Sequence, residues 1–346
     1  MSLYSKVKNN YMKVQKRLNR ILAMLAIVLV FWSAWVFYDN SRINESIKKP
    51  VDNVWTFRSI DTMKYSRDLA REKLTDQAFL SEINTQVSNI AATGANYVGI
   101  ATPYDEEFVP YLTAWVEAAR KNNLKVWFRG NWSSWEGWFG YPHQMTFDEH
   151  IAKSAQFIDE HKELFQDGDK FSACPECENG IQGDPRQTGR VVEYREFLIK
   201  ETKVLNDKFK STGLDVETNL LSMNMDVARL VMDKDTARAV GGVITVDHYV
   251  ASPEDLADDA KELARETESV IVYGEFGTPI PDITGDMTNE EQAVWLERAL
   301  AKVSNTSEVV GMSYWVNKDG STELWESDNT AKPAVEVLTK YFKIKN

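Results

Sequence analysis

The chain has 346 residues, of which 43% are hydrophobic and 27% are charged. This composition is typical of a folded globular protein and argues against a disordered or fibrous one. The formal net charge of -12 at pH 7 argues against electrostatic attraction to nucleic acid. The length allows one large domain or two small ones.

The N-terminal region differs from the rest of the chain. Residues 21–38 carry no charge and are about as long as a bilayer-spanning helix, whereas lysines and arginines are concentrated in residues 1–20. This bias predicts a cytoplasmic segment (1–20), a transmembrane helix (21–38), a tether (39–52) and an extracellular domain (53–346) in a single-pass membrane protein. The alternative is a cleaved signal peptide, which is disfavoured because the apolar run is long and no A-x-A site follows it.

After the tether, short apolar runs alternate with longer amphipathic ones. The short runs predict strands over residues 54–60, 96–101, 124–128, 170–174, 216–221, 242–246, 270–273 and 309–315. The longer runs predict helices over residues 77–93, 109–122, 146–165, 194–209, 227–232, 253–265, 288–303 and 333–342. Two capping boxes, Thr146 to Glu149 and Thr288 to Glu291, mark helix starts.

Eight strands, each followed by a helix, predict a (β/α)₈ TIM barrel of α/β class over residues 53–346. A doubly wound open sheet is the alternative, but it usually carries a glycine-rich phosphate loop after its first strand, and the sequence has none there. In a barrel of this type, functional residues lie at the C-terminal ends of the strands.

Carboxylates, amides and aromatic residues crowd these predicted strand ends. Glu275 ends strand seven between Gly274 and Gly277, where a charge after a buried strand is costly unless it is paired or functional. The other candidates are Arg129, Asn131, Trp132 and Trp135 after strand three, Glu176, Glu178 and Asn179 after strand four, His248 and Tyr249 after strand six, and Trp315 and Asn317 after strand eight. Tryptophan faces stack on sugar rings and polar groups hold hydroxyls, so this rim predicts a carbohydrate ligand.

This pattern resembles the clan A glycoside hydrolases from about residue 53 to the C-terminus. The resemblance implies a nucleophile after strand seven, here Glu275, and an acid/base after strand four, here Glu176 or Glu178. It also implies a strand-eight aromatic residue, Trp315, and a histidine-containing end of strand six, His248-Tyr249. One departure is Pro175, which stands where the family usually has an asparagine before the acid/base.

We therefore expect a retaining glycosidase that cleaves a β-linked oligo- or polysaccharide, with two carboxyl groups about 5–5.5 Å apart. Glu176 is preferred over Glu178 as acid/base because it lies nearer the strand end. Arg129 or Tyr249 would orient the nucleophile. The pattern contains no metal motif, and the chemistry that the resemblance implies needs no cofactor.

Two other functions are compatible with the sequence. One is a non-catalytic, membrane-tethered glycan-binding barrel, to which the missing asparagine before Glu176 gives weight. The other rests on Cys174 and Cys177, whose C-P-E-C spacing allows a thiol oxidoreductase or half of a zinc site. Neighbouring glutamates would blunt a reactive thiol, and no second cysteine pair exists to complete a zinc site. A disulfide that stiffens the loop is the more modest interpretation.

Overall fold

The computed structural model describes residues 55–142, 145–180 and 182–343. All of them lie in one compact unit, Val51–Asn346. The predicted cytoplasmic segment, transmembrane helix and tether lie outside the described residues.

Eight parallel strands form one sheet, in the order β4-β3-β2-β1-β8-β7-β6-β5. Their bounds are β1 Phe57–Asp61, β2 Tyr97–Ile100, β3 Lys125–Phe128, β4 Lys170–Phe171, β5 Ser222–Asn224, β6 Val243–Asp247, β7 Val270–Phe276 and β8 Val309–Tyr314. The sheet closes where Lys170 pairs with Glu217 in a parallel bridge and the Phe171 amide donates to the Glu217 carbonyl at 2.9 Å. The predicted (β/α)₈ barrel is therefore confirmed for this part of the chain.

Helices separate the strands and cover the outside of the sheet. They are α1 Ala70–Lys73, α2 Gln77–Ala92, α3 Val109–Lys121, α4 Ser133–Glu136, α5 Phe147–Glu160, α6 Pro185–Thr188, α7 Val191–Thr212, α8 Met225–Val231, α9 Lys234–Ala239, α10 Pro253–Thr267, α11 Pro281–Thr284, α12 Asn289–Val303 and α13 Pro333–Phe342. A π-helical turn, Lys64–Asp68, and short 3₁₀ turns, Glu106–Phe108, Trp138–Gly140, Lys162–Leu164 and Cys177–Asn179, complete the described elements.

Both predicted capping boxes form. The Thr146 side chain accepts from the Glu149 amide, and Glu149 accepts from the Thr146 amide; Thr288 and Glu291 repeat this arrangement at the start of α12. These helix starts were predictable because the hydrogen-bond donors and acceptors of each capping box lie on two residues only three positions apart in the sequence.

The predictions for strands four and five were partly wrong. Strand β4 ends at Phe171, three residues earlier than predicted, and β5 begins at Ser222, just after the predicted run of residues 216–221. From that run, only Glu217 pairs with β4, while β6 pairs with Ser222 to Asn224. Strand bounds depend on a partner elsewhere in the chain, so an apolar run alone places them poorly.

The predicted localisation, a single-pass membrane protein with an extracellular domain, requires correction. Among residues 55–142, 145–180 and 182–343, the structure contains no helix with the length and apolar character needed to cross a bilayer.

Candidate functional site

The barrel interior is built in two layers. Its lower layer is apolar, and consists of Phe57, Tyr97, Trp127, Leu220 and Val272. These side chains point inward because alternate residues of a strand face opposite sides of a sheet. A polar layer lies above it toward the C-terminal mouth, formed by Arg129, Ser222 and the carboxyl groups that contact Arg129.

Arg129 lies at the centre of the polar layer and is fully buried. Its guanidinium forms ion pairs with Asp61, with Glu275 (Nη2 to Oε1, 3.0 Å) and with Asp247 (Nη2 to Oδ2, 3.6 Å). It also donates to Ser222 Oγ at 3.0 Å and lies 4.3 Å above the centroid of the Trp127 ring. One guanidinium therefore holds three carboxyl groups that come from strands β1, β6 and β7.

A bulge in β7 turns Glu275 toward this cluster. Tyr273 pairs with Met312 and Phe276 with Tyr314. Between these two pairs, β7 therefore contains one residue more than β8. Tyr273 and Phe276 both pack in the outer core, and the extra residue brings both Gly274 and Glu275 to the inside. Gly274 must lack a side chain, because a Cβ there would lie 2.4 Å from Asp247 Oδ1 and 2.5 Å from Ser222 Oγ.

Two side chains contact the carboxyl group of Glu275, one through an ion pair and one through a hydrogen bond. Arg129 contacts one oxygen, and the Tyr249 hydroxyl donates to the other at 2.8 Å. Burial raises the pKa of Glu275 to about 7, while the Arg129 charge opposes this shift and the Glu176 charge adds to it. Trp315 stands beside Tyr249 with its ring nearly perpendicular, 6.1 Å away between centroids, and is part-exposed at the mouth.

The loop after β4 does not continue in the extended conformation of the strand. A disulfide joins Cys174 to Cys177, and the 3₁₀ turn follows at once. Glu176 has φ 47° and ψ 48°, a left-handed conformation that is uncommon for a residue with a side chain. Such strain is concentrated at functional sites.

The two candidate glutamates of this loop have different surroundings. Glu178 is 2% exposed, and its carboxyl group accepts from the Asn224 amide at 2.8 Å, from Asn224 Nδ2 at 3.0 Å and from the Tyr194 hydroxyl at 3.4 Å. Glu176 has only long contacts, from Asn224 Nδ2 at 3.4 Å and Asn179 Nδ2 at 3.3 Å. Burial and then the Glu178 charge raise the pKa of Glu176, whereas Arg67 and Arg129 oppose this.

Three candidates after β3 are buried away from the mouth. The ring of Trp135 is fully buried against Phe147 and Phe197, which leaves it no face for a sugar. Trp132 is 8% exposed and donates through Nε1 to Ser154 Oγ at 3.0 Å. Asn131 is fully buried and binds neighbouring side chains.

Two further candidates are held by residues outside the cluster. His248 Nε2 lies 2.7 Å from Asp259 Oδ2 on α10, and burial lowers the pKa of its imidazole. Asn317 is buried and donates to Gln86 Oε1 on α2 at 2.6 Å. The structure thus brings together Arg129, Glu275, Tyr249, Trp315, Glu176 and Asn179 out of the predicted set.

Sequence reasoning missed Glu136 as a site residue and did not select Arg67. Burial raises the pKa of Glu136 to about 7, opposed by the Arg67 charge and reinforced by that of Glu176. Arg67 interacts electrostatically with Glu136, Glu176 and Glu275. The available signal was a carboxylate between Trp135 and Trp138 in a loop at the mouth.

Among the described residues, one group of side chains has the spacing to hold a metal ion: Glu106, Glu160 and His161. Both of its glutamates are exposed, and it shares no residue with the carboxylate cluster around Arg129.

No known family profile matches this sequence, and no curated protein is similar to it in sequence. Solved structures are similar to it in fold. A family 5, subfamily 18 glycoside hydrolase from Bifidobacterium longum, in complex with Manβ1-4GlcNAc, has a TM-score of 0.62 and 10% identity, over 83% of this chain and 77% of its own.

The names of two other similar structures describe enzymes that act on β-mannosides. The family 113 β-mannanase of Alicyclobacillus acidocaldarius has a TM-score of 0.55 and 16% identity, over 85% of this chain and 99% of its own. An exo-β-1,4-mannosidase from an Opitutaceae bacterium has a TM-score of 0.58 and 11% identity, over 83% of this chain and 59% of its own. At these identities the similarity shows the barrel fold alone.

Proposed function

We propose that this protein is a retaining glycoside hydrolase that cleaves a β-linked oligo- or polysaccharide. Glu275 is the nucleophile and Glu176 the acid/base. The observation that carries the proposal is the meeting of these two glutamates at one barrel mouth, where the Glu176 charge acts on Glu275. The names of the similar structures favour a β-linked sugar, since three of them are enzymes or complexes of β-mannosides.

The reaction would proceed in two steps. Glu275 attacks the anomeric carbon to form an ester, while Glu176 gives its proton to the departing glycosidic oxygen. Glu176 then takes a proton from water, whose oxygen attacks the same carbon and releases Glu275. Tyr249 and Arg129 hold the Glu275 carboxylate in place. Because the nucleophile must be ionised, activity should fall as the pH drops below the pKa of Glu275, about 7.

The experiment that tests this function is hydrolysis of defined β-linked oligosaccharides, with the configuration of the released anomer followed over time. We expect the product to appear first as the β-anomer, since two successive displacements restore the original configuration. Initial release of the α-anomer would contradict the assignment of Glu275 as a nucleophile. Binding of the oligosaccharides without hydrolysis would instead indicate a non-catalytic glycan-binding barrel.

Glu176 and Glu178 should respond differently to substitution by glutamine. We expect Glu176→Gln to lower kcat on an oligosaccharide roughly 10²–10⁴-fold, the usual contribution of a general acid. The same variant should retain much of its activity on a 2,4-dinitrophenyl glycoside, whose leaving group needs no proton. Glu178→Gln should show no such dependence on the leaving group, because that carboxyl group binds Asn224 and Tyr194. If Glu178→Gln depended on the leaving group in this way and Glu176→Gln did not, Glu178 would be the acid/base.

The structure does not favour the thiol oxidoreductase. Cys174 and Cys177 form a disulfide, but both residues are only 3% exposed within the hydrophobic core. A redox-active pair needs one accessible sulfur for attack on its substrate. The bridge instead shapes the turn that presents Glu176.

A further inference from the structure

A second polar pair lies at the barrel mouth and joins two segments: Arg67 belongs to the π-helical turn after β1, and Glu136 ends α4 in the loop after β3. Arg67 Nη1 lies 3.9 Å from Glu136 Oε2, within ion-pair range but too far for a hydrogen bond. The Arg67 guanidinium is also held 4.5 Å above the centroid of the Trp138 ring. The two side chains are 19% and 7% exposed, respectively, so both are mostly enclosed and still reach solvent.

A buried chain of hydrogen bonds holds Glu136. Asn131 Nδ2 donates to Glu136 Oε1 at 3.1 Å, and Asn131 Oδ1 lies 3.0 Å from His150 Nε2. His150 Nδ1 in turn lies 2.8 Å from Glu201 Oε1 on α7. Asn131, His150 and Glu201 are each at most 1% exposed. Burying three polar side chains is costly unless they are all paired, and here the chain leads to a carboxyl group at the mouth.

The pair retains hydrogen-bonding capacity. Among the described residues, the only hydrogen bond of the Arg67 side chain is from Nε to Asp68 Oδ1 at 3.4 Å, which leaves its terminal N–H groups available. Oε2 of Glu136 makes the 3.9 Å ion-pair contact and accepts no hydrogen bond from a described residue. A donor and an acceptor side by side, next to a tryptophan, suit adjacent hydroxyl groups of a sugar.

We propose that Glu136 and Arg67, next to Trp138, form a subsite that binds the hydroxyl groups of a neutral sugar unit adjoining the one that is cleaved. This inference rests on the proposed glycosidase function. The subsite adjoins the sugar that is cleaved, because the Arg67 guanidinium that contacts Glu136 also interacts electrostatically with Glu176 and Glu275. A neutral sugar is favoured because the carboxylates of Glu136 and Glu275 would repel an anionic one.

The test compares Glu136→Gln and Arg67→Gln on two substrates that share the sugar to be cleaved: a β-linked neutral oligosaccharide and a 4-nitrophenyl monoglycoside. We expect kcat/KM on the oligosaccharide to fall about 10- to 100-fold, the worth of a hydrogen bond to a charged group. On the monoglycoside, which places no sugar in the subsite, the change should stay below about 3-fold. Glu193→Gln is the matched control, since Glu193 lies in the first turn of α7 and forms an exposed ion pair with Arg190, the residue just before that helix.

Equal losses on both substrates would overturn the subsite, because they would indicate an effect on Glu176 instead. Unchanged kinetics on the oligosaccharide would overturn it as well. If the unaltered protein cleaves neither substrate, the proposed function fails. The subsite is then tested separately by calorimetric titration of the same oligosaccharide into Glu275→Gln and into double variants that combine Glu275→Gln with Glu136→Gln or Arg67→Gln. Weaker binding in the variants carrying Glu136→Gln or Arg67→Gln would support it, and equal or undetectable binding would refute it.

Discussion

Replacing Glu275 with glutamine is expected to lower kcat roughly 10⁴-fold or more, the scale seen when an enzyme loses its nucleophile. A glutamine amide cannot form the ester with the anomeric carbon. The fold should remain intact, because glutamine has nearly the same shape and Arg129 keeps its contacts with Asp61 and Asp247. Tyr249 can still donate its hydroxyl proton to the amide oxygen.

Steady-state hydrolysis of the best oligosaccharide, together with a urea unfolding curve of the variant, measures this effect. Glu254→Gln is the matched control, since Glu254 also forms an ion pair, with Arg298 at 2.8 Å, but lies at the start of α10. It should retain nearly full activity. If Glu275→Gln turns over at the unaltered rate, another group must be the nucleophile.

Replacing Arg129 with methionine is expected to lower the free energy of unfolding by about 3–5 kcal/mol, the scale for breaking a buried ion pair from one side. The change leaves Asp61, Asp247 and Glu275 without their shared cation. Burial, and next the Glu275 charge, already raise the pKa of Asp247 well above its usual range. The lost cation would raise the pKa values of Asp247 and Glu275 further.

The loss should therefore be larger at pH 8 than at pH 5. A group whose pKa is raised by folding binds its proton more tightly in the folded state, so its contribution to stability declines as the pH rises through that pKa. Urea unfolding at both pH values measures this dependence. Arg190→Met, which removes an exposed ion pair with Glu193, should leave the unfolding curve unchanged. A loss of stability that is equal at both pH values would show that the carboxyl groups do not depend on Arg129.

Local features of the fold were predicted from the sequence with good accuracy. The helix over residues 77–93 is observed as Gln77–Ala92, and the one over residues 333–342 as Pro333–Phe342. Their apolar spacing, caps and breakers act within a few residues of each other, so the information is present in the local sequence. The alternation of strands and helices then restricted the architecture to a barrel or an open sheet.

The site was predictable only in part, because the orientation of a side chain depends on distant elements. Glu275 and Tyr249 were selected from their positions after strands, and they do meet. Trp132 and Trp135 were selected on the same grounds, yet they pack under the mouth with α5 and α7. Aromatic composition gives no indication of which loop residues face the ligand and which form the core.

The sequence by itself determined the periodic elements and the acidic residues at the strand ends. Only the tertiary structure decided that a bulge in β7 turns Glu275 inward, that the disulfide-closed turn gives Glu176 its left-handed conformation, and that a buried chain through His150 supports Glu136. The physical reason is that each of these depends on pairing register or burial between segments far apart in the chain. Such contacts leave no periodic trace in the amino-acid order.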